Sequence, residues 1–217
     1  MSPEGLAVSL PARIHELLEH AIIEGAIEPG ARMHADKLAE QYGVSRIPVR
    51  EALRSLHEAG WVEIRPRYGV YVRERSEEEV RDLFETRAVI EGALAGWAAQ
   101  RRSDEDVERL HANVEAARQA ADRADTAELT RHSAEFYAAV RIAARNAVMG
   151  AVSADLEKRA RFYFSMVAAD LGADWASKHE RLAELIIAGD ADGATTESRR
   201  HIQKTGEAVA GLLARTG

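Results

Sequence analysis

The chain has no cysteine among its 217 residues, which excludes a disulfide framework, a thiolate metal site and a cysteine nucleophile. It lacks any apolar run near the roughly 18 residues of a spanning helix. The opening MSPEGLAVSL has neither the charged nor the apolar region of a signal peptide. A soluble, cytoplasmic protein with no membrane partner is the expectation. A glycine-rich phosphate loop, a Gly-x-Ser-x-Gly elbow and a His-Glu-x-x-His pair are all missing, so the commonest nucleotide, hydrolase and metalloprotease chemistries have no foothold. Basic charge is short as well: 29 Lys and Arg stand against 36 Asp and Glu, a net charge of −7. Taken whole, that balance argues against a protein that coats nucleic acid.

Proline is scarce in an informative way. All five (Pro3, Pro11, Pro29, Pro48, Pro66) lie in the first 66 residues. Proline breaks helix interiors, so the proline-free remainder, rich in Ala, Glu, Arg and Leu, reads as a long helical domain. The boundary falls near Arg73 to Glu77, giving domains 1–75 and 76–217. The expected fold class is mainly α: a winged helix-turn-helix with a small β-wing, then an all-α bundle of about six helices.

In the first domain Leu10, Ile14, Leu17, Leu18, Ala21 and Ile22 recur at helical spacing, and Gly25 with Pro29-Gly30 closes that helix. A short helix from Asp36 to Tyr42 stops at Gly43. Ser45 is placed to cap a third helix that runs to about Ala59, with Pro48 in its first turn. Two strand-like runs, Trp61–Ile64 and Gly69–Val72, flank Arg65-Pro66-Arg67-Tyr68 and read as a hairpin wing. Residues 44–73 hold six Arg and three Glu, an excess of base that the chain total conceals. Arg46, Arg50 and Arg54 recur every four residues on one helix face, and Arg65, Arg67 and Arg73 follow in and after the wing. A solvated face paired with Glu51 and Glu58 is one reading. A helix for the major groove with a phosphate-clamping wing is the other, and the turn and wing in register favour it.

The stretch GAIEPGARMHADKLAEQYGVSRIPVREALRSLHEAGWVEIRPRYGVYV resembles the winged helix-turn-helix of the GntR family of bacterial transcription regulators, most closely its FadR-type branch. The resemblance places Ser45, Arg46, Ile47 and Arg50 where the recognition helix meets bases and phosphates, Gly69 at the wing tip, and Arg32 after the Pro-Gly turn. The expected DNA-facing set is these six with Arg54, Arg65, Arg67 and Tyr68. Two positions depart from the pattern: Ile47 replaces a common Thr, and Asp36 stands where many members carry a basic residue.

In the second domain helices are predicted over about 77–101, 103–123, 126–144, 147–167, 173–188 and 191–215. Ser103 with Asp106 forms a capping-box pattern, and Asp125 or Thr126 caps the third of these helices. Arg87 and Glu91 sit inside the apolar stripe of the first. They read either as a structural pair at i,i+4 or as a guanidinium awaiting a ligand carboxylate. His179 and His201 lie eleven residues either side of Asp190, so a helical hairpin turning there sets them at one height. They read equally as hydrogen-bonded core or as half of a metal site. Glu108 and His111 form a single Glu-x-x-His on a charged helix, whereas a di-iron bundle needs two. A metal-dependent helical enzyme is therefore the weaker rival, and no catalytic residue is assigned.

This half resembles the all-helical ligand-binding domain paired with FadR-type winged helices, through LFETRAVIEGALAGWAA, EFYAAVRIAARNAVM, KHERLAELIIAGDADGA and RRHI. The resemblance implies a divalent metal held by an Asp and a His on the third helix and one His on each of the last two. His179 and His201 match the latter, but Ser133 and Tyr137 fall at the former positions. No tightly held cofactor is expected; a weak zinc, nickel or manganese site using His132, His179 and His201 is the alternative. Arg87, Ser133, Tyr137, His179 and His201 are the expected effector-binding residues, for a small organic acid. The whole reads as a homodimeric repressor of a pseudo-palindromic DNA operator, with a constitutive DNA-binding dimer as the other outcome.

Overall fold

The computed structural model describes residues 9–164 and 174–216, and the chain divides into two compact units at Arg75/Ser76. In the first unit α1 (Leu10–Ile23) is capped by Ser9, whose hydroxyl accepts from the Ala12 amide, with Pro11 in the first turn. Its buried seam is Ile14, Leu18, Ile22 and Ile23. Leu10 and Leu17, which share the predicted apolar stripe, are about half exposed. α2 (Ala35–Tyr42) ends at Gly43, whose φ of 65° is costly for any residue with a Cβ. α3 (Arg46–Glu58) follows and buries Val49, Ala52, Leu53 and Leu56, largely against α1 and α2.

The wing holds one strand more than the hairpin predicted. Alongside β2 (Val62–Arg65) and β3 (Gly69–Val72) lies β1 (Arg32–Met33), in the antiparallel order β1-β3-β2. Arg32 faces Tyr71 and Met33 faces Val70. A two-residue strand has no alternation to read, so its pairing depends on the β3 edge rather than on local pattern. Trp61 anchors the wing to α1 by donating its indole N–H to Glu19 at 2.9 Å.

The second unit is a helical bundle: α4 (Glu77–Arg101), α5 (Asp104–Asp122), α6 (Thr126–Ala143), α7 (Ala147–Phe164), α8 (Asp174–Ala188) and α9 (Ala191–Thr216). The ends of the helices expected over 147–167 and 173–188 fall partly outside the described residues. Ser103 and Asp106 form the reciprocal capping box, and Asp125 caps α6 through the Glu128 amide. Asp106 is buried and also receives Arg109 and Arg145, so one carboxylate ties the start of α5 to the turn after α6. Leu94, Leu110, Phe136, Val140, Leu182 and Ile186 fill the core between α4, α5, α6 and α8. The long α4 and α9 run antiparallel in close contact: a Cβ added at Gly206 would stand 2.5 Å from the Phe84 Cβ. No described helix is long and apolar enough to cross a membrane.

Candidate DNA-reading surface and effector cavity

The face of α3 opposite its buried seam carries Arg46, Ile47, Arg50 and Arg54, all exposed. Ser45 occupies the N-cap position in extended geometry, yet its hydroxyl makes no cap hydrogen bond, contrary to the capping role read from sequence. The first amides of α3 are thus not closed off by that side chain, as an approaching phosphate requires. Arg46 is not a free cation: its Nε lies 2.9 Å from Asp36 Oδ1 at the start of α2. Arg54 Nε is 3.7 Å from Glu58 on its own helix.

In the wing Arg65 donates through Nε to Glu63 at 2.6 Å, and its guanidinium stacks 4.3 Å from the Tyr71 ring centroid. The Tyr68 amide bonds back to the Arg65 carbonyl, with Pro66 and Arg67 between them. Arg67 has φ of 69°, a value that a turn of this type usually gives to glycine or asparagine. An arginine there holds backbone strain at the point of the wing. Gly69, at φ 115°, leaves room for Arg32, whose Nε would be 3.2 Å from any added Cβ. Arg32, Arg65, Arg67, Tyr68 and Gly69 are therefore gathered on one small β-unit, with Arg32 and Arg65 both against Tyr71.

In the second unit a cavity of about 50 Å³ is walled by α4, α6, α7 and α9. Arg87, Ser133, Tyr137 and His201 line it, joined by Thr130, Glu157, Arg161 and Thr205. Arg87 is only 5% exposed. Its Nη2 is 3.7 Å from Glu91 Oε1, beyond hydrogen-bonding range, and its buried Nε meets no acceptor among the described residues. Glu91 is 1% exposed and accepts from Ser153 Oγ at 2.9 Å, while its other oxygen has no donor among the described residues. Burial raises the Glu91 carboxyl above the usual range and outweighs the pull of Arg87. Burial likewise raises the Tyr137 phenol, which stays a neutral hydroxyl. Arg141, by contrast, is engaged by Glu157 at 2.6 Å.

His179 and His201 do stand at one level, with ring centroids 5.3 Å apart. His179 does not line the cavity; it lies behind, stacked on Phe136 at 4.7 Å and edge-on to Tyr137. The cavity's α7 wall was missed in the sequence because Glu157 and Arg161 sit in DLEKRARFYF, a run that looks like an ordinary solvated face. Thr205, one turn beyond His201, carried the only usable spacing signal.

A helix-turn-helix with a basic reading face, followed by a helical bundle with a cavity between α4, α6, α7 and α9, has known counterparts. The model for bacterial regulatory proteins of the gntR family matches residues 10–72, and that for the FCD domain matches residues 82–204. The chain belongs to the GntR family, in its FCD-containing branch. Among curated relatives, a "probable D-xylose utilization operon transcriptional repressor" of Paenarthrobacter nicotinovorans is 26% identical over 89% of this chain and 86% of its own length. The HTH-type transcriptional repressor RspR of Escherichia coli K12 is 34% identical over 51% of this chain and 49% of its own. The solved E. coli McbR/YncC shares the fold at TM-score 0.80 and 21% identity, covering 95% of this chain and all of the other. As a GntR-family member the protein is a DNA-binding transcription regulator and not an enzyme. Glu108 and His111 are accordingly exposed on α5.

Some FCD domains hold a metal, and the residues of this GntR-family chain do not fit one. Ser133 and Tyr137 offer hydroxyls where an Asp and a His are needed. The alternative through His132 gains no support from the structure. Its Nδ1 lies 3.1 Å from Glu135 and its Nε2 3.1 Å from Arg131, both on its own helix, and it is absent from the cavity wall. A one-residue step turns a helical side chain by about 100°, which carries His132 off the face by which Ser133 and Tyr137 line the cavity. No group of three or more His, Cys, Asp or Glu able to hold a metal occurs among the described residues.

Proposed function

We propose that the protein is a repressor that binds a pseudo-palindromic operator as a homodimer and responds to a small organic acid held in the cavity of its FCD domain. The observation that carries the effector half is Arg87: a buried guanidinium on the cavity wall whose Nε has no acceptor and whose nearest carboxylate is both distant and driven toward its neutral form. An anionic ligand would complete that valence, with the hydroxyls of Ser133 and Tyr137 and the His201 ring supplying orientation. For the DNA half, Arg46, Arg50 and Arg54 with Ile47 and Ser45 face the major groove. Arg32, Arg65, Arg67, Tyr68 and Gly69 meet phosphates or the minor groove.

A melting screen against small mono- and dicarboxylates, followed by fluorescence anisotropy on operator DNA, tests this. A true effector at 100 times its dissociation constant stabilises by about 2.7 kcal/mol and changes operator affinity in the same concentration range. If no carboxylate stabilises the protein and none alters DNA binding, the second domain serves only to dimerise a constitutive DNA-binding protein.

A further inference from the structure

An acid on a DNA-facing surface needs a reason, because it repels the phosphates its neighbours attract. Asp36 is the second residue of α2, and Arg46 the first of α3. Their side chains are 63% and 64% exposed, and Arg46 Nε lies 2.9 Å from Asp36 Oδ1. An ion pair so open to water does little for folding. Each partner has its own electrostatic situation: Asp36 sits at the positive end of the α2 dipole, where an acid is welcome, and Arg46 at the positive end of α3, where a base is not. The pair spans the turn between the two helices and tethers a long, rotamer-rich side chain at the entry to the recognition helix.

We propose that Asp36 is a specificity-determining residue that fixes the Arg46 guanidinium for base reading, an inference that rests on Arg46 meeting a base edge. The guanidinium is a rigid planar fork. The carboxylate lies beside Nε as an ion pair without an aligned hydrogen bond, on the side-on edge of the fork, and the end-on pair Nη1 and Nη2 is left for a base. That pair matches the O6 and N7 acceptors of guanine in the major groove. A tethered fork has fewer ways to settle on a phosphate or on the wrong base, so the acid gives up general DNA affinity and narrows the choice at one position. Closing the surface on DNA strips water from the pair and strengthens the tether where it is used.

The test is selection from a DNA library randomised across a half-site, using the full-length protein, Asp36→Ala, Asp36→Asn and Arg46→Ala, with circular dichroism to confirm folding. The wild type should select guanine at one position of each half-site, with discrimination of about 10- to 100-fold. Arg46→Ala should lose that preference. Asp36→Ala should bind random DNA more tightly, yet its preference at that same position should fall at least about threefold. Asp36→Asn, which keeps an acceptor oxygen, should lie between. If Arg46→Ala loses the preference while Asp36→Ala keeps it and merely binds all DNA more tightly, Asp36 is a plain electrostatic brake and the inference is overturned alone. If Arg46→Ala leaves every preference unchanged, the base-reading role of Arg46 fails and takes the inference with it.

Discussion

Arg87→Met keeps most of the length and the apolar stem of the side chain while deleting a buried charge from the FCD cavity. The wild-type guanidinium is 5% exposed and lies 3.7 Å from the Glu91 carboxylate, and its Nε is unsatisfied among the described residues. Burying such a charge costs several kcal/mol, which is returned only when geometry and hydrogen bonds are good, and here neither is. The group left behind is Glu91, which burial already pushes toward its neutral form and which keeps its hydrogen bond from Ser153. Removing Arg87 therefore strands little charge wherever Glu91 keeps its proton. The variant should gain about 1 kcal/mol, a rise in Tm of about 2–4 °C for a chain of this size. The gain should shrink as pH rises and Glu91 ionises without its guanidinium. Differential scanning fluorimetry over a pH series measures this, repeated with whichever carboxylate stabilises the wild type and should fail to stabilise the variant. A loss of about 3 kcal/mol or more across the whole series would refute the reasoning, since it would make Arg87 a structural counter-ion of an ionised Glu91.

Three further outcomes are expected. Because the Glu91 carboxyl is raised in the folded state, the native protein holds a proton that the unfolded chain releases. Stability from this group therefore falls as pH climbs from the unfolded value of 4.5 through the folded one, and Glu91→Gln should flatten that part of a Tm-against-pH curve. Asp106 behaves in the opposite sense. Hydrogen bonds from Ser103, with Arg145 and Arg109 nearby, overcome the effect of its burial and hold its carboxyl below 3.8, so its contribution is present above that pH and lost as pH falls through the folded value. Urea unfolding of Asp106→Ala at pH 7 should show a loss of about 1–2 kcal/mol, chiefly from the lost capping box, since Arg109 keeps Glu105 and Arg145 is half exposed. Arg67→Gly relieves the positive φ at the wing and should raise stability by up to about 1 kcal/mol. The same change should weaken operator binding and lower the salt slope of log K by about 1, as read by anisotropy at several salt concentrations.

Much of the architecture could be read from residue types because the signals were local and redundant. The capping box at Ser103, the Asp125 cap, Gly43 and the confinement of proline each mark an element boundary by backbone chemistry, and the helices begin or end within a residue or two of those marks. The level pairing of His179 and His201 was legible for a different reason: helix rise is constant, so equal distance from a turn is a length measurement. Tertiary choices were not legible. The Ser45 hydroxyl leaves the cap unmade, β1 exists only because β3 offers it an edge, and Asp36 reaches across a turn to Arg46. His132 differs from Ser133 by one step of sequence, but that step selects a face, and only packing shows which face meets the cavity. Glu157, Arg161 and Thr205 lack a pattern of their own; they become a wall when α7 and α9 are brought beside α6.

The close seating of α4 on α9 limits how such a cavity can change size. Gly206 accepts the Phe84 ring at one end of the contact and Gly96 accepts Thr195 at the other. Two notches filled by two knobs, three turns apart, act as a pair of locating pins. Sliding either helix by the 1.5 Å rise of one residue would drive a side chain into backbone at both ends. The two helices thus serve as a fixed jaw that carries Arg87 and His201, set against α6 and α7, which carry Ser133, Tyr137 and Glu157.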